Sequence, residues 1–353
     1  MESVDYSIDV ADALDGVLQP FEHGAFFGHN EEIDVFLRAA QSGRMHHAWL
    51  LHGPRGVGKA TFAFRMARAL AERDDARDLT RDAIEQSADE NTSRFRKVAR
   101  GAHPNVLHIK VPFDEKSRKF KTQITVEEVR KCISFFGTTA GNTGWRIAVI
   151  DGANDMNRSS ANGLLKILEE PPEKTIFFLL SDQPAQLLPT IRSRCQTLAF
   201  NPLGLDDLNN ALRATTDFDT TQEITDLSQY RDLVGGSVRR AYQFATSGTA
   251  ELHDTFLSLM NQRPGYDFKQ LQTFADAVSG RGSEERFGFF VDFLDLFIAG
   301  TVRDQEATGS STEQLVRWAE VWDKIHDRLR LEQSLNLDRK QTVLASFQDL
   351  RAV

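Results

Sequence analysis

Apolar residues in the first two hundred positions fall into short continuous runs. Residues 48–51, 106–109, 145–150, 176–180 and 198–200 are each rich in Val, Ile, Leu, Phe or Trp and bounded by polar or turn residues. Such runs predict strands buried on both faces. Between them the apolar positions change to a helical spacing. Ile33, Phe36, Leu37 and Ala40 share one face of a helix over 30–41, and residues 62–70 predict a second helix. Thr125 stands where a helix cap is needed, with Glu128 at capping-box spacing. Ala161, Leu164, Leu165 and Leu168 mark a helix over 157–170, which Pro171 and Pro172 stop. Strands alternating with helices predict an α/β fold with a parallel, doubly wound sheet.

Beyond Pro202 the strand signals vanish. Residues 206–214 and 221–229 are helix-like, and Gly235, Gly236 and Ser237 make a turn into a further helix carrying Arg239 and Arg240. Arginine is not the choice a helix N-terminus favours, so an anionic group is expected to face this pair. From about 250 the pattern is helical throughout. Phe287, Phe290, Val291, Phe293, Leu294, Phe297 and Ile298 make one helix apolar on most sides, which predicts burial in a core or a subunit interface. Leu315, Trp318, Val321, Trp322 and Ile325 mark the next helix, and residues 336–340 begin the last. Residues 1 to about 20 are acidic and weakly patterned and predict a poorly ordered tail. Residues 72–103 are polar and predict a helical or irregular insertion. Phe27-Gly28 suits either packing on a nucleotide base or plugging the edge of the core.

One stretch carries chemistry. Gly53, Pro54, Arg55, Gly56, Val57, Gly58, Lys59, Ala60 and Thr61 lie between the strand over 48–51 and the helix over 62–70. Strand, glycine loop and helix in that order are the context of a phosphate-binding loop. The glycines allow a tight turn that points N–H groups at an anion, and the helix adds its positive dipole end. Lys59 stands where a lysine reaches the outer phosphates. The pattern G-x-x-x-x-G-K-[ST] fails only at its last position, where Ala60 replaces the hydroxyl that ligates Mg²⁺. Thr61 is turned by roughly 100° around the helix and substitutes poorly. The strand over 145–150 runs into Asp151, the position of the carboxylate that holds the Mg²⁺ shell in such sites. The residue after it is normally acidic where an attacking water is polarised. Here it is Gly152. Ser181 closes the strand over 176–180 and is a candidate sensor of a γ-phosphate.

Composition narrows the picture. The 353 residues predict two or three domains. A net charge of −9 argues against a chain that coats nucleic acid over its whole surface. The stretch 94–121 departs from it, with Arg94, Arg96, Lys97, Arg100, Lys110, Lys116, Arg118, Lys119 and Lys121 against Asp114 and Glu115. It suits contact with phosphate or a solvated charged face. Cys132 and Cys195 are the two cysteines and form no C-x-x-C pair, so neither a zinc site nor a disulfide framework is expected. His46-His47 lacks a third ligand nearby, so no metal site is expected there. No basic-then-apolar leader and no apolar run approaching about 18 residues is present, which predicts a cytoplasmic chain that makes no membrane contact.

Several motifs together resemble one family. They are His46-His47-Ala48-Trp49, the glycine loop, the run Leu164-Leu165-Lys166-Ile167-Leu168-Glu169-Glu170-Pro171-Pro172, Ser193-Arg194-Cys195, Gly236-Ser237-Val238-Arg239, and residues 336–340. In combination they resemble the bacterial DNA polymerase III clamp-loader subunits of the AAA+ class. The resemblance implies a P-loop AAA+ domain over 1–203, a helical lid over 204–248 and an all-α collar over 249–353. The motor subunits of that family (tau/gamma) keep the hydroxyl after the lysine, an Asp-Glu pair at the second motif and a cysteine zinc module. With Ala60, Asp151-Gly152 and no cysteine between Lys59 and Cys132, this chain is similar to the non-hydrolysing stator branch. That branch often carries the zinc module too, so the insertion here needs another source of stability.

The resemblance assigns Arg194 the role of an arginine finger in trans, acting on ATP held by a neighbouring motor subunit, with Arg192 a weaker candidate. It places Ser181 and Arg239 at two nucleotide-sensing positions, vestigial if nothing is hydrolysed in cis. It implies a ring of five with tau/gamma and delta subunits, a sliding clamp (beta) as cargo and primer-template DNA as its destination. Autonomous catalysis is not expected of the chain itself, which would belong to a polymerase holoenzyme. ATP is expected to bind weakly or not at all, Mg²⁺ only with ATP, and zinc not at all. Two rival readings are an active motor ATPase and a switch that binds ATP without hydrolysis.

Overall fold

The computed structural model describes residues 10–114, 116–137, 144–216, 227–309, 311–335 and 337–353. Residues 1–9 of the expected tail, Glu115 of the basic run, 221–226 of the helix expected over 221–229, and Asn336 lie outside the described residues. Residues 227–229 form a turn. The chain divides into two compact units, Met1–Gln222 with Gly236–Arg239 and Glu223–Gly235 with Arg240–Val353.

The first unit is an α/β structure. Its described strands are β1 (Ala48–His52), β2 (Val106–Ile109), β3 (Phe113–Asp114), β4 (Lys119–Phe120), β5 (Arg146–Ile150), β6 (Thr175–Ser181) and β7 (Gln196–Ala199). Five of them form a parallel sheet ordered β2-β5-β6-β1-β7, while β3 and β4 form a separate antiparallel hairpin. The helices are α1 (Asn30–Gln41), α2 (Lys59–Leu70), α3 (Arg81–Gln86), α4 (Ser93–Ala99), α5 (Val126–Gly137), α6 (Arg158–Glu169), α7 (Pro189–Arg192) and α8 (Leu205–Thr215). The continuous apolar runs have the physical cause expected of them. On β1, Trp49 and Leu51 enter one core with α1 and α2, whereas Ala48 and Leu50 enter the other with α5 and α6. On β6, Ile176, Phe178 and Leu180 alternate with Phe177 and Leu179 in the same way. Side chains of successive strand residues point to opposite faces, so a strand covered on both sides is apolar at every position.

The insertion after α2 is held by helix caps and buried apolar side chains. Thr80 and Thr92 cap α3 and α4, accepting from the Ala83 and Phe95 amides at 3.2 Å each. Ala76, Leu79, Ile84, Phe95 and Val98 are buried. The guanidinium of the fully buried Arg68 lies 4.6 Å from the Phe95 ring centroid. Residues 10–20 depart from the expected tail. Val10 and Gln19 are buried, the Leu18 amide donates to the Thr215 carbonyl at 2.9 Å, and Val17 bridges Thr216. Backbone pairing at Val17 and Leu18 fixes this segment on the end of α8, and such pairing leaves no periodic pattern in the sequence. At the start of α5 the Val129 amide donates to the Thr125 carbonyl at 3.3 Å, and Glu128 pairs with Lys131 at 2.7 Å.

The second unit is helical. It holds α9 (Arg231–Val234), most of α10 (Val238–Thr246), α11 (Thr249–Asn261), α12 (Phe268–Ser279), α13 (Glu284–Ala307), α14 (Thr312–Leu335) and α15 (Arg339–Leu350). Phe287, Phe290, Phe293, Leu294 and Ile298 of α13 are buried in its core, as is Phe289, while Val291 and Phe297 are half-buried. Phe256 of α11 sits at the centre, with the rings of Phe274, Phe290, Phe293, Phe297 and Phe347 within 6.5 Å of its own. On α14, Trp318 and Ile325 are buried, whereas Trp322, Leu331 and Leu335 are exposed.

Burial in the first unit gives a pH dependence. Burial and the nearby Arg68 charge push His23 down to about 4 from an ordinary 6.5. The unfolded chain therefore binds the proton more readily, and stability is lost as pH falls through 6.5 towards 4. His23 contributes roughly 3 kcal/mol to that loss. Urea unfolding at pH 7.5 and 4.5 should show His23→Gln losing less stability on acidification than the wild type, and parallel losses would contradict it.

Candidate functional site

The glycine loop leaves the C-terminal end of β1 and closes onto α2. Gly53, Gly56 and Gly58 all have left-handed backbone, with φ of 148°, 73° and 112°. A side chain at Gly53 would stand 2.2 Å from the Phe200 carbonyl oxygen, and one at Gly56 would stand 2.5 Å from the Ser237 hydroxyl. Only glycine fits both the conformation and the space. Three contacts hold the loop from outside. His29 Nε2–H donates to the Val57 carbonyl at 2.7 Å, the Ser237 hydroxyl donates to the Arg55 carbonyl at 2.7 Å, and the Val238 amide donates to the Gly56 carbonyl at 2.9 Å. Gly58 gives α2 no side-chain cap, which leaves first-turn N–H groups as the donors such a loop offers an anion.

Lys59 is buried and turned onto its own loop. Its Nζ donates to the Gly53 and Pro54 carbonyls at 2.7 Å each. Burial lowers it to about 8, against Asp182 and Asp151, which act to raise it, and together with Arg55. Gly53, Asp151 and Ser181 end the neighbouring strands β1, β5 and β6, where parallel α/β sheets place their ligands. A cavity of about 340 Å³ opens there, lined by residues 55–61, Asp151, Gly152, Ser181 and Arg239. Gly53 and Pro54 do not line it and face Lys59 instead. The Ser181 hydroxyl accepts from the Gln183 amide at 3.1 Å. Asp151 Oδ2 lies 3.7 Å from His108 Nε2.

Both expected defects have a structural form. Ala60 puts a half-buried methyl against the core beside the cavity, and Thr61 also reaches the lining. Gly152 has left-handed backbone (φ 79°), and a side chain there would stand 2.3 Å from Asp155 Oδ2. An acidic residue at 152 therefore requires the backbone or Asp155 to move. Burial raises the Asp155 carboxyl, Arg55 opposes this, and Asp182, Asp151 and Asp12 add to it.

The remaining candidate lies elsewhere. Arg194 follows α7 and is partly exposed, its guanidinium donating to Glu169 Oε1 at 2.7 Å and to the Thr190 carbonyl at 2.9 Å. It is not brought to the cavity of its own chain. Arg192 is exposed nearby. His46 and His47 stack on each other and engage the Ala48 and Leu168 carbonyls. Among the described residues no group of three His, Cys, Asp or Glu is placed to hold a metal ion. Burial pushes both the Cys132 and Cys195 thiols up to about 12. The lining residues Asp12 and Asp182 and the supporting residue His29 stand in no motif read from the sequence, whereas Ser237 does.

The sheet, the glycine loop after β1 and the carboxylate after β5 define a P-loop α/β domain, joined in the chain to an all-helical region. A sequence model of the family described as DNA polymerase III, delta subunit, matches residues 28–204, half of the chain. The chain belongs to that family, and it is similar to DNA polymerase III delta-prime and gamma subunits. It is 38% identical over 149 residues to DNA polymerase III subunit delta-prime of Pseudomonas aeruginosa, covering 42% of this chain and 41% of that one. It is 33% identical over 173 residues to the Bacillus subtilis delta-prime subunit, covering 48% and 47%. A DNA polymerase III gamma subunit of Buchnera aphidicola is 32% identical over 171 residues, covering 48% and 42%. The match thus spans less than half the length of these relatives.

The loop geometry makes Gly53 intolerant of any side chain. Gly53→Ala should lower unfolding stability by about 2 kcal/mol or more, measured by chemical denaturation. A loss within about 0.5 kcal/mol would show that the Phe200 carbonyl yields freely.

Proposed function

We propose that this chain is the stator of a bacterial clamp loader: it helps place the sliding clamp on primed DNA and hydrolyses nothing itself. The observation that carries the reading is the left-handed Gly152, closed off by Asp155, at the position where a hydrolysing site needs an acid. Ala60 supports it, because the loop retains its glycines and lysine but lacks a metal-binding hydroxyl. On this reading ATP binds weakly or not at all, and Mg²⁺ enters only with it. The first 203 residues act as the AAA+ body, residues 204–248 as a lid, and residues 249–353 as a collar. The collar assembles with delta and tau/gamma subunits around primer-template DNA.

Arg194 is the group this chain lends to the assembly. An exposed guanidinium can exchange Glu169 for the γ-phosphate of a neighbour's ATP, because an exposed pair is held by only about 0–1 kcal/mol. In the neighbour's site it would neutralise charge growing on the transferring phosphoryl group, an effect worth roughly 10³–10⁵ in rate in known switch systems. Hydrolysis would then depend on the closure of one subunit against the next.

Arg194→Ala should fold and assemble normally but reduce the ATPase of a reconstituted loader severalfold or more. Unchanged loader ATPase with the variant incorporated would remove Arg194 from this role.

A further inference from the structure

The segment 10–20 does more than pack on α8. Val10, Asp12, Leu14, Val17 and Leu18 all line the same cavity as the glycine loop. Asp12 carries a charge from this segment to the loop. Its Oδ2 lies 3.0 Å from Arg55 Nη2, within the loop itself, and 3.5 Å from Arg239 Nη1. Arg239 Nη1 also donates to the Asp12 backbone carbonyl. Two guanidinium groups, one from the loop and one from the start of α10, thus converge on one carboxylate at the mouth of a phosphate-binding cavity. Arg55 Nε lies a further 3.8 Å from Asp182.

We propose that residues 10–20 are a strap across the nucleotide cavity, and that Asp12 is an internal counterion occupying the arginine contacts a bound polyphosphate would take. The proposal rests on the reading of this cavity as a degenerate nucleotide site and adds a control on its occupancy. Polyphosphate and Asp12 carry the same sign, so they compete for Arg55 and Arg239. Both partners of the Arg55–Asp12 pair are well exposed, with side chains 60% and 41% accessible, so the pair is weak and opens readily. The anchor is different in kind. The Leu18 amide bonded to Thr215 and the Val17–Thr216 bridge fix the C-terminal end of the strap. Residues 10–16 would lift while 17 and 18 stay.

The test is a calorimetric titration of the full chain with ADP, free of divalent metal and at low ionic strength, for wild type, Asp12→Asn and Asp12→Glu. Asp12→Asn should bind ADP roughly three- to tenfold more tightly than wild type, with Asp12→Glu close to wild type. Asp12→Asn binding detectably where wild type does not would also support the strap. Equal or weaker affinity in Asp12→Asn overturns it, and so does the absence of binding by every form. A second readout is amide exchange in wild type saturated with ADP. Residues 10–16 should exchange severalfold faster while Leu18 keeps its protection, and unchanged exchange over 10–16 counts against the strap. Neither result bears on the trans role of Arg194, which the reconstituted loader reads separately.

Discussion

The candidate nucleotide site of the first unit follows from three strands buried on both faces. β5, β6 and β1 lie inside the sheet with helices above and below, so their side chains are committed to packing. Polar function can enter only where the strands end. At that edge the backbone of Gly53 passes so close to the Phe200 carbonyl that a methyl group would not fit. The loop is therefore set by steric contact with the sheet and clamped by His29, Ser237 and Val238. A loop held this firmly keeps its shape whether or not it binds anything. That is a physical reason for a phosphate-binding loop to survive in a chain that lacks parts of the hydrolytic apparatus.

The two departures from a working site are unequal. Ala60 is a simple deletion of a hydroxyl, and the position beside the cavity remains. Gly152 is a larger change, because an acid there would take a left-handed backbone and displace the Asp155 carboxylate. Lys59 completes the picture. Two loop carbonyls satisfy its ammonium group, so the buried charge has partners without a phosphate. The chain itself thus supplies the partners of this buried charge, which supports the proposed stator reading.

Much of the sheet was legible because strands buried on both faces leave continuous apolar runs, and the glycine loop because its spacing is local. The core role of α13 was legible in part. Its apolar surface is wider than a surface helix needs, but nothing in the sequence separates a core from an interface, and Phe289 was missed. Long-range pairings were not legible. Asp12 meets Arg55 and Arg239 across 43 and 227 residues, and Arg194 meets Glu169 across 25. No local pattern encodes such contacts. The segment 10–20 looked featureless for the same reason, since its order comes from α8 and the loop.

The central claim is that this chain retains the geometry of a nucleotide site without its catalysis. Steady-state ATP turnover by the purified chain, with Mg²⁺ and primed DNA and with Lys59→Met as the background, tests it most directly. The account predicts turnover no higher than that of Lys59→Met. Steady, saturable turnover that disappears with Lys59 would contradict it and make the chain a motor.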